Sequence, residues 1–139
     1  MPMSGHAYRE PPPVRPLMRV LVCGSRHWTD GALILDELSA LPDVEVVIEG
    51  EAPGADTLAA AAARQLDIPV RAFPADWERE GRAAGPLRNA RMLAEGHPAL
   101  VLAFHDDLAS SRGTADMVAR ARRVGVSVRL IKHRSACSE

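Results

Sequence analysis

Met18-Arg19-Val20-Leu21-Val22-Cys23-Gly24-Ser25-Arg26 is the stretch that decides the fold. Its apolar run is short, rich in β-branched residues and ended by a glycine. That pattern reads as a buried strand rather than an amphipathic helix. Working outward, Glu45–Glu49 repeats it and ends at Gly50. Pro69–Phe73 is a third such run, and Ala99–Phe104 is a fourth and the most apolar. Val126–Ile131 is the fifth.

Helical patterns fill the gaps between these runs. Asp30 is placed to cap a helix carrying Leu33, Ile34, Leu38 and Leu41, which Pro42 stops. The Ala-rich segment from about Gly54 to Leu66 is a strong helix former and a thin one. In the polar stretch 76–95, Gly85 and Pro86 are expected to break the chain. Pro86 then suits the first turn of a helix that turns Leu87, Met92 and Leu93 inward. A last helix runs from about Gly113 to Val124 and is capped by Gly125. Strands alternating with helices imply parallel pairing and right-handed crossovers. The expected fold is α/β: a Rossmann-like, doubly wound sheet of about five mainly parallel strands flanked by helices.

The chain has 139 residues, enough for one domain with one real core. Residues 1–17, with Pro11, Pro12, Pro13 and Pro16, read as a flexible leader. The domain is expected over 18–133, with a polar tail at 134–139. The net charge is −1, which argues against general nucleic-acid binding. No secretory signal and no stretch long enough to span a bilayer is visible, so a cytoplasmic protein is expected. Cys23 and Cys137 form no CxxC pair, so neither zinc nor a disulfide framework is expected. Cys23 reads as a small buried hydrophobe. No metal and no cofactor is expected.

Ligands of such sheets bind outside the carboxyl ends of the strands, near the switch point. That directs attention to three loops. Gly24 lets backbone approach a ligand closely, Ser25 offers a hydroxyl and Arg26 a fork of donors. Without a full GxGxxG or a P-loop lysine, a tight turn with an exposed arginine is the better explanation of these residues taken alone. In the second loop, Glu49-Gly50 is followed by Gly54-Ala55-Asp56. Gly54 and Ala55 open a helix whose free N–H groups would face the cleft. Asp56 either gains ~0.3–1 kcal/mol from the helix dipole, or accepts ligand hydroxyls as Glu49 would. In the third loop, Arg112, Gly113 and Thr114 start a helix just past the most apolar strand. A phosphate on its N-terminus and simple capping by Thr114 weigh equally.

His105, Asp106 and Asp107 are consecutive and cannot all face one metal ion from a strand. Arg120, Arg122 and Arg123 read as a solvated helix face. Trp28 and Trp77 lie near strand ends, as packing residues or as a platform for one base.

Four motifs in order carry a family resemblance. They are Val22-Cys23-Gly24-Ser25-Arg26; Glu49-Gly50 with Pro53-Gly54-Ala55-Asp56; Gly85-Pro86-Leu87-Arg88-Asn89-Ala90-Arg91-Met92; and Arg112-Gly113-Thr114-Ala115-Asp116-Met117. From about Met18 to Ile131 the chain resembles the YspA-like branch of the SLOG superfamily, which is common in bacteria and phages. The resemblance implies a Rossmann-like fold and a nucleotide-like small-molecule ligand. The superfamily also includes LOG phosphoribohydrolases, DNA-processing DprA-like proteins and sensors of nucleotide-derived signals. Arg88-Asn89-Ala90-Arg91-Met92 looks like the LOG arginine–lysine motif, with Asn89 in place of the lysine. Gly113-Thr114 looks like the GT of the LOG glycine loop, but the preceding Pro-Gly-Gly is missing. Where LOG enzymes carry a glutamate three residues after the threonine, this chain has Met117, with Asp116 one position earlier.

The LOG likeness implies Arg88 and Asp116 as a catalytic pair, Arg88 on the phosphate and Asp116 at the ribose. Cleaving an N-glycosidic bond builds positive charge on the ribose, which a carboxylate must stabilise. Asp116 is shorter than the LOG glutamate and turned by about 100° on the helix, and Asp106, Glu49 and Asp56 are alternative carboxylates for that role. Two readings follow: a binding module for a nucleotide or nucleotide-derived molecule, and a LOG-like phosphoribohydrolase. Loss of the glutamate favours the first. A single-stranded DNA partner fits less well, because the charge is near neutral and aromatic residues are few. LOG-like relatives often pair through helices, so a homodimer is a further expectation.

Overall fold

The computed structural model describes Pro11 and residues 17–134. The leader expected at 1–17 falls almost wholly outside them, as do Cys137 and the tail beyond Arg134. The elements run β1 (Met18–Gly24), α1 (Gly31–Ser39), β2 (Val44–Glu49), α2 (Ala55–Gln65), β3 (Val70–Ala72), α3 (Trp77–Glu80), α4 (Ala84–Gly96), β4 (Leu100–Phe104), α5 (Gly113–Arg123) and β5 (Ser127–Ile131). All strand pairs are parallel, in the order β3-β2-β1-β4-β5. The chain winds outward from β1 to β3, then crosses over to β4 and β5. The carboxyl ends of β1 and β4 therefore flank the switch point.

Alternation along each strand divides the core into two layers. Val20, Val22, Val47, Leu102 and Phe104 face α1 and α2. Leu21, Cys23, Ile48, Val101 and Ala103 face α4 and α5. Each fully buried aliphatic side chain contributes roughly 1.5–3 kcal/mol, which is why both faces need helices. Ala55, Ala59, Ala62 and Ala63 make α2 thin enough to lie close on the sheet. The Asp30 carboxylate caps α1, accepting from Leu33 N at 2.9 Å. Gly125, at φ 82°, follows the last turn of α5.

Three expectations need correction. The break in the 76–95 stretch falls at Gly81, where φ is 57°, and not at Gly85. Pro86 sits inside the first turn of α4, where its missing N–H costs no helix bond. Leu87 is 43% exposed, because α4 buries the line Ala84, Asn89, Met92 and Gly96 instead. Trp28 is 2% exposed, edge-on to Phe104 and covered on its face by the His133 ring, so it packs against protein on both sides and is not an open platform in this state. Trp77 is 60% exposed on α3.

Candidate functional site

The switch point is built around Gly24. It pairs with Phe104 across the β1–β4 ladder. A Cβ on Gly24 would lie 2.3 Å from the Phe104 carbonyl oxygen and 2.8 Å from Ala55 Cβ. Close approach of two protein segments is by itself enough to require the glycine. Ser25 then organises the turn. Its N–H donates to Phe104 O at 2.8 Å, its hydroxyl accepts from His27 N, and its carbonyl accepts from both Trp28 N and Ala55 N. Ala55, expected to offer a free N–H, is therefore already satisfied. Gly54 has φ 80°, and a Cβ there would strike Ser25 O at 2.3 Å. Arg26 projects outward and is exposed.

The loop after β2 is held by two buried carboxylates. Glu49 accepts a hydrogen bond from Glu51 N. Asp56 reaches back to accept from Gly50 N at 2.9 Å and Ala52 N at 3.3 Å. These bonds pin a loop whose Glu51 adopts φ 57°, an unusual conformation for a non-glycine residue. Asp56 is 5% exposed. Burial pushes its carboxyl up to about 6, partly offset by the two backbone N–H groups and by the Arg88 charge. Burial also raises Glu49, and the Asp56 charge adds to it. Cys23 lies in the same low-dielectric corner, and burial pushes its thiol far above the usual range.

A polar chain runs from this loop to α5. Arg88, half-buried on α4, donates from Nη1 to Gly50 O and from Nε to Asn89 Oδ1 at 3.0 Å. A Cβ on Gly50 would sit 2.5 Å from Arg88 Nη1, so the missing side chain makes room for the guanidinium. Asn89 is 5% exposed, and its amide donates to Gly113 O and to Asp116 Oδ2, at 3.2 and 3.0 Å. Arg120 Nε donates to the same Asp116 oxygen at 2.9 Å. Arg120 thus belongs to this chain and not to a fully solvated face; its spacing of four from Asp116 is the sequence signal for the pair. At the start of α5, the Ser111 hydroxyl caps Thr114 N at 3.0 Å, so Thr114 is the capped residue and not the cap. Gly113 faces open space, with nothing within 4 Å of a Cβ placed there.

Gly24, Ser25, Glu49, Gly50, Gly54, Ala55, Asp56, Arg88, Asn89, Gly113 and Asp116 are thereby linked through the contacts given above at the carboxyl ends of β1, β2 and β4, and Arg26 and Thr114 adjoin them in the sequence. Arg112 immediately precedes α5 there. Among the described residues, no carboxylate lies within ion-pairing distance of Arg26, Arg88 or Arg112. His105 and Asp106 diverge: His105 Nδ1 accepts from Asp107 N, whereas Asp106 pairs with His133. A groove of about 450 Å³ at the end of β3 is lined by Pro74, Ala75, Asp76, Arg79, Glu80 and Arg91. None of the candidate residues lines it, so the case for the switch point rests on its chemistry and not on concavity. Among the described residues no helix is long and apolar enough to cross a membrane.

Comparison with known proteins agrees with this architecture. The family model for YspA, cpYpsA-related SLOG proteins matches residues 18–79. Gene 61 protein of Mycobacterium phage D29 is 37% identical over 121 residues, spanning 81% of this chain and 94% of that protein. The X-ray structure of DNA processing protein A (DprA) from Streptococcus pneumoniae aligns with a TM-score of 0.65 at 20% identity, over 88% of this chain. The chain spans 52% of the DprA chain, and at that identity the likeness is one of fold. With these matches and the five-stranded parallel sheet together, the chain belongs to the YspA, cpYpsA-related SLOG family.

Proposed function

We propose that this domain binds a nucleotide or nucleotide-derived small molecule at the carboxyl ends of β1, β2 and β4, and does not turn it over. Arg88 carries this reading. Its guanidinium is half-buried, held by a backbone carbonyl and a buried amide, and has no carboxylate partner among the described residues. A preorganised cation of that kind suits a phosphate. Arg26 and Arg112 add charge from the neighbouring loops. Membership of a SLOG family supports a nucleotide-related ligand.

Two observations favour binding over hydrolysis. Met117, at the LOG glutamate position, is 1% exposed in the layer between α5 and the sheet. Asp116 is engaged by Asn89 and Arg120. The hydrolase reading keeps one support: Asp116 is joined to Arg88 through Asn89 alone.

The test is a thermal-shift screen against ribose 5-phosphate, nucleoside monophosphates, ADP-ribose, NAD, cyclic dinucleotides and a single-stranded oligonucleotide. Each incubation is then checked for products. A ligand at a hundredfold excess over Kd stabilises by ~2.7 kcal/mol, a shift of several degrees at this size. A nucleotide that shifts the wild type and is recovered intact supports the reading. Arg88→Ala is expected to weaken that ligand by about 1.5–3 kcal/mol, the range for a hydrogen bond to a charged group. Release of free base and ribose phosphate would replace binding with hydrolysis. A shift with the oligonucleotide alone would replace the nucleotide with DNA.

A further inference from the structure

His133 lies flat on Trp28. The ring centroids are 3.7 Å apart and the planes differ by 19°. This is the geometry a nucleobase adopts on an aromatic side chain. Trp28 is well placed to serve as such a platform. Its N–H bonds Ser25 O, the same carbonyl that receives Ala55 N, so the indole and the start of α2 hang from one residue. The indole is fixed by Nε1 donating to Asp30 O at 3.0 Å and by its edge-on contact with Phe104.

The segment that brings His133 there is weakly attached. The sheet bond from His105 N to Ile131 O, 3.0 Å, is the last backbone bond on β5 toward its carboxyl end. Beyond it, among the described residues, the chain is held by contacts at the surface. His133 N and Nδ1 meet the two oxygens of Asp106, each at 2.7 Å. Arg134 reaches Asp36 and Asp30, at 3.2 and 3.5 Å. Exposed ion pairs of this kind contribute little in water. Swinging the segment about Lys132 would break only these surface contacts and the stack on Trp28.

We propose that Trp28 is the base-stacking subsite of the ligand site, and that His133 occupies it as a displaceable stand-in until a nucleobase replaces it. The proposal rests on the nucleotide reading above. It adds the recognition of a base to the anion site at Arg88, and it makes residues 132–134, just beyond β5, a self-inhibitory cover. A cover open in about a tenth of the molecules lowers apparent affinity about tenfold.

The experiment uses the full chain in a Trp77→Phe background, so that emission reports Trp28. AMP and ribose 5-phosphate are titrated by calorimetry and fluorescence into this form and into the same form with His133→Ala. The expected result is an emission change on His133→Ala without ligand, about three- to tenfold tighter AMP, and unchanged ribose 5-phosphate. Asp106→Asn, which loosens the clasp but keeps the ring, is expected to lie between. AMP binding equally to both forms, or with no change in Trp28 emission, overturns the proposal and leaves the nucleotide reading standing. Equal tightening of both probes overturns the base assignment. Failure of both probes on every form overturns the nucleotide reading for this ligand class, and the proposal with it.

Discussion

Replacing Asp56 by asparagine should stabilise the protein at neutral pH, although it removes a buried, hydrogen-bonded carboxylate. The side chain accepts hydrogen bonds from Gly50 N and Ala52 N, and an amide oxygen can accept both. What the substitution removes is a charge 5% exposed to solvent. In the folded state the carboxyl titrates at about 6 instead of 3.8, because burial disfavours the anion. The native state therefore holds a proton that the unfolded chain has already released between those values. Its contribution to stability is full below the unfolded value and is lost as pH rises through the folded one. At roughly 1.4 kcal/mol per pH unit the loss is about 3 kcal/mol by pH 8. Asp56→Asn escapes it. Urea unfolding of both proteins from pH 3.5 to 8 should show no difference at the acid end, growing to about 3 kcal/mol in favour of the variant. Titrating groups away from Asp56 cancel in that difference, and Glu49, whose carboxyl the Asp56 charge raises, shifts in the same sense. A variant that is less stable than the wild type at pH 8, or a difference flat with pH, would refute the electrostatic account of Asp56. Asp56→Ala is the contrast: it strips two backbone donors of their acceptor and should cost ~1–3 kcal/mol.

Gly54→Ala should destabilise by about 3 kcal/mol or more, since it adds a left-handed alanine to a clash with the backbone of Ser25; thermal unfolding measures it. Gly50→Ala meets only the end of the Arg88 side chain. It should change stability by less than about 1 kcal/mol while weakening ligand as Arg88→Ala does, which calorimetry separates from misfolding. Cys23, buried and with its thiol strongly raised, should resist iodoacetamide in the native protein and react after denaturation. Peptide mass spectrometry reads both states, and rapid native alkylation would show that the corner between β1 and α2 opens.

The fold was legible because its determinants are local and periodic. Short β-branched runs ended by Gly24 and Gly50, an alanine-rich helix and a glycine after α5 each name their own element. Alternation of the elements then leaves few topologies. The candidate loops were legible for the same reason, since strand ends can be read from the chain. Asp30 as a cap is a property of four consecutive residues, and it appears as read. Leu87 was not legible: an apolar residue on a helix does not say which flank meets the sheet.

Sequence alone determined the α/β alternation, the parallel sheet, the loops that meet at the switch point and the family. Tertiary structure decided what each loop residue does. Gly24 is small because Phe104 and Ala55 crowd it, Ala55 N–H is taken by Ser25, and Asp56 braces a loop. Asp116 is shared between Asn89 and Arg120, and Trp28 is covered by His133. Most of these roles depend on contacts between residues tens of positions apart. Their geometry is set by how helices pack on the two faces of the sheet, a non-local outcome that propensity and spacing do not encode.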